Sequence, residues 1–254
     1  TTVDPLEAAQ KFGADPLRLY LVKEIAFGND GDFTWERFED RYNVDLANNL
    51  GNLVNRVTAM VERYRNGRLG ATQPNEAMTE VTAGCVREYR EAMDRFALDV
   101  ACRQAFRLVD AVNEYIAASE PWSLAKRDDG QRALDEVLWT SAEALRVAAV
   151  LLSPVIPRSS EEILRRVGAP DAAPVLDRDA RLGTSGERTL QRKDAMWPRL
   201  ESEDDAGGDT IAVSTKETRV TDQPKPDAAV PPAPAPAAPP GAAPAATHNR
   251  RSIR

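Results

Sequence analysis

Between Asp4 and about Gly168 the apolar residues recur at helical spacing, and residues that start and stop helices stand between the runs. Asp4 followed by Pro5, and Asp15 followed by Pro16, each read as an N-cap with proline at the first helical position. The segment "DPLRLYLVKEIA", residues 15–26, is therefore predicted to be a short amphipathic helix. Thr34 is a predicted N-cap for a long helix over about 35–65. Further helices are predicted at roughly 78–96, 99–118, 121–127, 131–152 and 158–167, with Pro154 and Pro157 separating the last two and Gly168 ending the final one. Strand signals are nearly absent before residue 170, and no repeat period indicates a solenoid. The expected fold is all-α, an antiparallel helix bundle with short loops.

The bundle must lie upstream of about residue 200, because the composition then changes. Residues 201–223 are acidic and polar, and residues 224–247 hold nine prolines and ten alanines in 24 positions. Such a segment buries too little apolar area to offset its ordering entropy, so a disordered, partly polyproline-like tail is expected over 201–254. "FGNDGDF", residues 27–33, reads as a turn; its Asp30, Gly31 and Asp32 lack the ligand spacing and closing glutamate of a calcium loop.

Much chemistry is excluded early. The chain has one histidine, His248 in the tail, which leaves the folded part without an imidazole for acid-base or metal work. Cys85 and Cys102 are too few for a disulfide framework and read as small buried thiols on separate helices. No catalytic residue and no metal site is expected. No stretch is apolar enough for a membrane span and no secretory signal opens the chain, so a soluble, cytoplasmic protein is expected. The net charge is −7, of which the tail, with eight acidic and six basic residues, contributes −2. An acidic body argues against sequence-blind nucleic-acid binding; any such role must be local and base-reading.

One helix carries a local candidate. "LANNLGNLVNR", residues 46–56, holds four asparagines, which are mediocre helix formers. On a wheel at 100° per residue, Leu46, Leu50, Leu53, Val54, Val57, Met60, Val61 and Tyr64 form a core face. Asn49, Asn52, Arg56 and Arg63 form a polar stripe beside that face, while Asn48 and Asn55 lie further towards solvent. Amide and guanidinium groups in such a row can read base edges. By spacing alone, the ordinary reading is a solvated face whose side chains hold neighbouring helices. "SEPWSLAK", residues 119–126, places Trp122 in the first turn of a short helix, with Ser119 read as its N-cap. A tryptophan at such a junction is commonly a packing residue; its alternative is a stacking platform for an unstacked base.

The stretch "VDPLEAAQKFGADPLRLYLVKEIAFGNDGDFTWERFEDRYNVDLANNLGNLVNRV" resembles the segment of bacterial, class I methionyl-tRNA synthetases that follows the KMSKS loop and enters the anticodon-binding bundle. "VNEYIAASEPWSLAK" and "LLSPVIPRSSEEIL" are similar to the same family's downstream helices, so the resemblance covers roughly residues 3–200. It implies that Asn52 and Arg56 contact anticodon bases and that Trp122 stacks on the first of them. Arg63 extends the stripe towards a phosphate or a third base. The implied partners are initiator and elongator methionine tRNAs with the anticodon CAU, and the catalytic domain of the same enzyme.

The resemblance also divides the chain. Residues 1–33 are implied to link the catalytic domain to the bundle, 34–170 to form the anticodon-binding bundle, and 171–200 to run out and pack on it, with "WPRL" at 197–200 resembling the family's closing segment. Neither KMSKS nor a HIGH-type motif occurs here, so this stretch is expected to catalyse nothing alone. No cofactor is expected on this chain, ATP being used by the complete enzyme. Without the family's appended OB-like domain, which often brings dimerisation, a monomer is expected. A different class of function is a stand-alone helical protein-interaction module that binds no RNA.

Overall fold

The computed structural model describes residues 4–25, 28, 31, 33–169 and 173–200. In chain order the helices are α1 (Pro5–Phe12), α2 (Ala14–Glu24), α3 (Trp35–Arg41), a π-helix (Tyr42–Gly51) and α4 (Asn52–Arg65). They continue with α5 (Glu76–Asp94), α6 (Leu98–Ser119), α7 (Pro121–Leu124), α8 (Gln131–Leu152), α9 (Pro157–Arg166) and α10 (Leu176–Asp179). The fold is all-α apart from one ribbon of two-residue strands, β1 (Arg68–Leu69) antiparallel to β2 (Arg188–Thr189). The calcium-loop and tail readings, at residues 27–33 and 201–254, fall largely or wholly outside the described residues. Among the described residues, no helix is long and apolar enough to cross a membrane, and no cluster of His, Cys, Asp or Glu could hold a metal ion.

The core is built around α8, in which every side chain from Val137 to Leu152 is buried. A helix buried all round must be covered on every side. Here α4, α5, α6 and α9 surround it. Two of the polar members of α8 are hydrogen-bonded within the bundle: Ser141 donates to the Val137 carbonyl at 2.7 Å, and Thr140 accepts from the Asn75 amide at 2.9 Å. Cys85 and Cys102 are both buried thiols, and burial pushes Cys102 up to about 12. That places the thiolate out of reach at neutral pH.

The N-terminal helices have a smaller core of their own. Ala8, Leu17, Tyr20 and Phe38 are buried together with Phe12, Phe33 and Trp35 packed around them, and the Phe12 and Phe38 rings meet edge-on at 5.1 Å. Asp4 caps α1 by accepting from the Leu6 amide, and Thr34 caps α3 by accepting from Arg37. The expected cap at Asp15 is not one. The α2 helix begins a residue earlier, with Gly13 at φ 91° as its cap, and Asp15 is buried with its carboxylate accepting from the Ser159 amide at 2.6 Å. Asp15 thus satisfies the first turn of α9, across the bundle, where a helix leaves its N–H groups unpaired. Arg18 strengthens the same joint by donating to the Val155 and Pro154 carbonyls at 2.7 and 2.8 Å.

The long helix expected over 35–65 is continuous in space but has three parts, because Tyr42–Gly51 is π-helical. Contacts at both ends brace that segment. Asn43 donates to the Leu200 carbonyl and accepts from the Leu200 amide, at 3.0 and 2.9 Å. At the other end Trp197 is buried against Gly51, where an added Cβ would stand 3.0 Å from the indole and 2.7 Å from the Leu46 carbonyl oxygen. Asp45, inside the segment, takes a 2.9 Å bond from Lys23. Its burial nevertheless keeps the carboxyl above the ordinary range. The α9 helix ends in a Schellman turn, with Ala169 N donating to the Leu164 carbonyl, Gly168 N to that of Arg165, and Gly168 at φ 70°.

Candidate nucleic-acid interface

The core face expected on residues 46–64 is the one observed: Leu46, Leu50, Leu53, Val54, Val57 and Val61 are fully buried, and Met60 and Tyr64 pack at its margin. The polar stripe beside it is split. Asn49 turns onto α6, donating to Asp110 at 2.7 Å and accepting from Asn113 at 3.0 Å. The wheel missed this because it assumed one α-helical phase throughout. The wider i→i+5 turn of the π segment advances each residue by less than 100°, so Asn49 falls out of line with Asn52.

Asn52 and Arg56 remain on an open surface. Asn52 is the exposed first residue of α4, and neither its amide nor the Arg56 guanidinium has a hydrogen-bond partner among the described residues. Both line a groove of about 1170 Å³ together with Asn55, Ala59 and Glu62. Asn55, expected nearer solvent, instead has its side-chain amide oxygen buried and without a hydrogen-bond partner among the described residues.

Trp122 reaches the same surface from another helix. The residue expected to cap α7, Ser119, is the last of α6; the next residue, Glu120, takes a left-handed conformation at φ 44° and its carbonyl accepts from Ser123 and Leu124. Pro121, at the first position of α7, is buried, and this anchors a turn on which Trp122 stands 41% exposed. The Arg56 guanidinium carbon lies 5.9 Å from the centre of the Trp122 ring, a cation–π distance. Arg56 therefore joins the groove to the tryptophan, and the three residues form one continuous surface.

Arg63 is not brought there. It is exposed, with its guanidinium 5.6 Å from the Tyr64 ring, and Glu62 borders the groove in its place. The opposite wall explains the choice. That wall enters at Gly67, where Leu190 N donates to the Gly67 carbonyl at 2.8 Å, and so meets the Glu62 side of α4.

The opposite wall, residues 190–194, contributes Gln191, Arg192, Lys193 and Asp194, none of which the sequence had marked. Its only local signal is "QRK" after a strand of two residues, too short to show a period. A second cavity, of about 670 Å³, is lined by Arg146, Arg188 and the loop 181–187. Arg146 and Arg188 are already paired with Glu143, and Arg178, which also lines it, with Asp179, which makes it a structural junction.

Comparison with known proteins supplies the family. Residues 1–58 match the family model described as tRNA synthetases class I (M), and residues 66–206 match that of the anticodon binding domain of methionyl tRNA ligase. The chain is 36% identical over 209 residues to the methionine–tRNA ligase of Bacillus subtilis (strain 168), covering 80% of this chain and 32% of that protein. It is 40% identical over 172 residues to that of Synechocystis sp. (strain PCC 6803), covering 66% and 32%. It spans about a third of the length of these curated relatives. The fold is similar to that of the apo form of Mycobacterium tuberculosis methionyl-tRNA synthetase, with a TM-score of 0.71 at 30% identity over 79% of this chain and 41% of that one. The chain belongs to the methionyl-tRNA ligase family and carries its anticodon-binding part.

Proposed function

We propose that this chain recognises the CAU anticodon of methionine tRNAs, initiator and elongator alike. It does so as part of a ligase whose catalytic domain, using ATP, joins methionine to the tRNA. The observation that carries the reading is that Asn52 and Arg56, whose side chains have no hydrogen-bond partner among the described residues, share one surface with a half-exposed Trp122, over whose ring Arg56 lies. An unpaired cytosine presents a ring-nitrogen acceptor, a carbonyl acceptor and an amino donor on its pairing edge. Arg56 supplies donors only, and the Asn52 amide supplies a donor and an acceptor, so the two together complement that edge. The Trp122 face offers stacking to an unstacked base, and stacking does not depend on which base it is. Specificity then rests on Asn52 and Arg56, and much of the affinity on Trp122.

The chain's overall charge of −7 gives no general attraction for RNA. The test is therefore a selectivity, measured by fluorescence anisotropy with hairpin RNAs carrying a CAU loop or the same loop with its first base changed. The CAU hairpin binds more tightly, and Trp122→Ala weakens it by about 1–3 kcal/mol with no change in thermal midpoint. Equal binding of the two hairpins by the unaltered chain would overturn the reading and leave the helical protein-interaction module in its place.

A further inference from the structure

The wall facing α4 carries a concentration of positive charge that base reading does not use. Glu162 on α9 is shared by three cations: Arg165, Arg166 at 2.8 Å and Lys193 at 3.6 Å. One carboxylate cannot neutralise three. Loss of solvent, and then repulsion from Arg165 and Arg166, push the Lys193 ammonium below its ordinary value. Next to it, Arg192 is exposed and has no partner among the described residues. In a chain of net charge −7, this is a local reversal of sign beside the groove.

The backbone here is also fixed. Gln191 N donates to the Arg166 carbonyl at 2.8 Å, and the Arg166 guanidinium donates to the Asp194 carbonyl at 2.8 Å. Both bonds go to one nearly buried residue, so Arg192 and Lys193 are bracketed on a short arch pinned to the end of α9. Displaying two long cations from a pinned arch lowers the ordering cost of binding an anion. Two carboxylates border the same groove, Glu62 on α4 and Asp194 at the end of the arch, so a phosphate must lie between them, at Arg192 and Lys193.

We propose that Arg192 and Lys193 form a clamp for the RNA sugar–phosphate backbone, holding it along the groove while Asn52 and Arg56 address the bases. The clamp rests on the reading of this groove as an RNA site. It acts through charge, so it contributes affinity without sequence preference. It also divides the groove by function: α4 selects and the 190–194 arch holds.

The experiment uses the full chain and the same two hairpins, with affinity measured across a series of salt concentrations. Each single-strand phosphate contact contributes about 0.7 to the slope of log K against log salt. The Arg192→Ala, Lys193→Ala double variant is expected to bind both hairpins about tenfold more weakly near 0.1 M salt, to lower the slope by about 1.4, and to keep the ratio between hairpins. Should loss of the Lys193–Glu162 contact unfold it, Arg192→Ala alone gives half that change in slope, since its side chain contacts nothing that folding needs. An unchanged slope and affinity, in a chain that still prefers CAU, overturns the clamp and leaves the anticodon reading standing. A reduced slope in a chain with no preference between hairpins does the reverse.

Discussion

Arg146 in α8 makes five hydrogen bonds: two to Glu143, one each to the Asp179 and Arg181 carbonyls, and one to Thr184 Oγ1. Arg56 in α4 makes none among the described residues. The difference is burial. Arg146 is 3% exposed and Glu143 0%, and an ion held away from water must be paired and hydrogen-bonded or it destabilises the fold. Arg188 completes that junction by reaching Glu143 at 2.5 Å with its guanidinium 4.9 Å from the Trp139 ring. Arg56, at cation–π distance from Trp122, and Arg192 have no hydrogen-bond partner among the described residues, which leaves their donors open to a ligand. Two arginine-rich regions thus divide the work: one closes the 179–188 loop onto α8, and the other presents donors to solvent.

The sharpest way to break that division is to remove the buried carboxylate. Glu143→Gln leaves Arg146 and Arg188 without a counter-charge and is expected to lower stability by about 3–5 kcal/mol in urea denaturation. Below the melting temperature its preference between hairpins stays intact. If selectivity fell while stability held, the two regions would not be separate.

Acid should act on the same junction. Burial alone would raise the Glu143 carboxyl, but the hydrogen bond from Arg146 and the charges of Arg188 and Arg146 outweigh it and hold it down to about 2. A carboxylate depressed on folding contributes stability that is fully present above its unfolded value, near 4.5, and is lost as pH falls through the folded one. The contribution at stake between pH 4.5 and 2 is on the order of 3 kcal/mol. Unfolding free energy measured across that window should fall less steeply in Glu143→Gln, and parallel curves for the two proteins would remove Glu143 from the account.

The two regions were unequally legible in the sequence. Along α4 the apolar period placed Leu53, Val54, Val57 and Val61 in the core, and with them the phase of Asn52 and Arg56, because an uninterrupted α-helix repeats faithfully. The junction at Glu143 carried no pattern: a glutamate and an arginine three apart on a helix ordinarily belong to a solvated face. What buries them is the returning loop, whose order depends on contacts forty residues distant, such as Gly183 N with Glu143 at 2.9 Å. The 190–194 wall was missed for the same reason. Asp15 shows the complementary failure, since its Asp-Pro signal was local and genuine in form while its carboxylate was taken by a helix far along the chain.

The finest test lies between neighbouring asparagines that one wheel had put on one stripe. Asn49 bonds both Asp110 and Asn113, so Asn49→Ala should cost about 1 kcal/mol of stability and leave the hairpin preference unchanged. Asn52 touches no polar partner among the described residues, so Asn52→Ala should leave stability within about 0.5 kcal/mol and reduce the preference for the CAU loop. Measuring both quantities on both variants gives a crossed result that a merely solvated stripe cannot produce, because two solvated amides would change neither. It also locates the boundary between the two uses of the helix. That boundary falls at Gly51, the last residue of the π segment, where Trp197 packs against the backbone and the chain regains α-helical phase just ahead of Asn52.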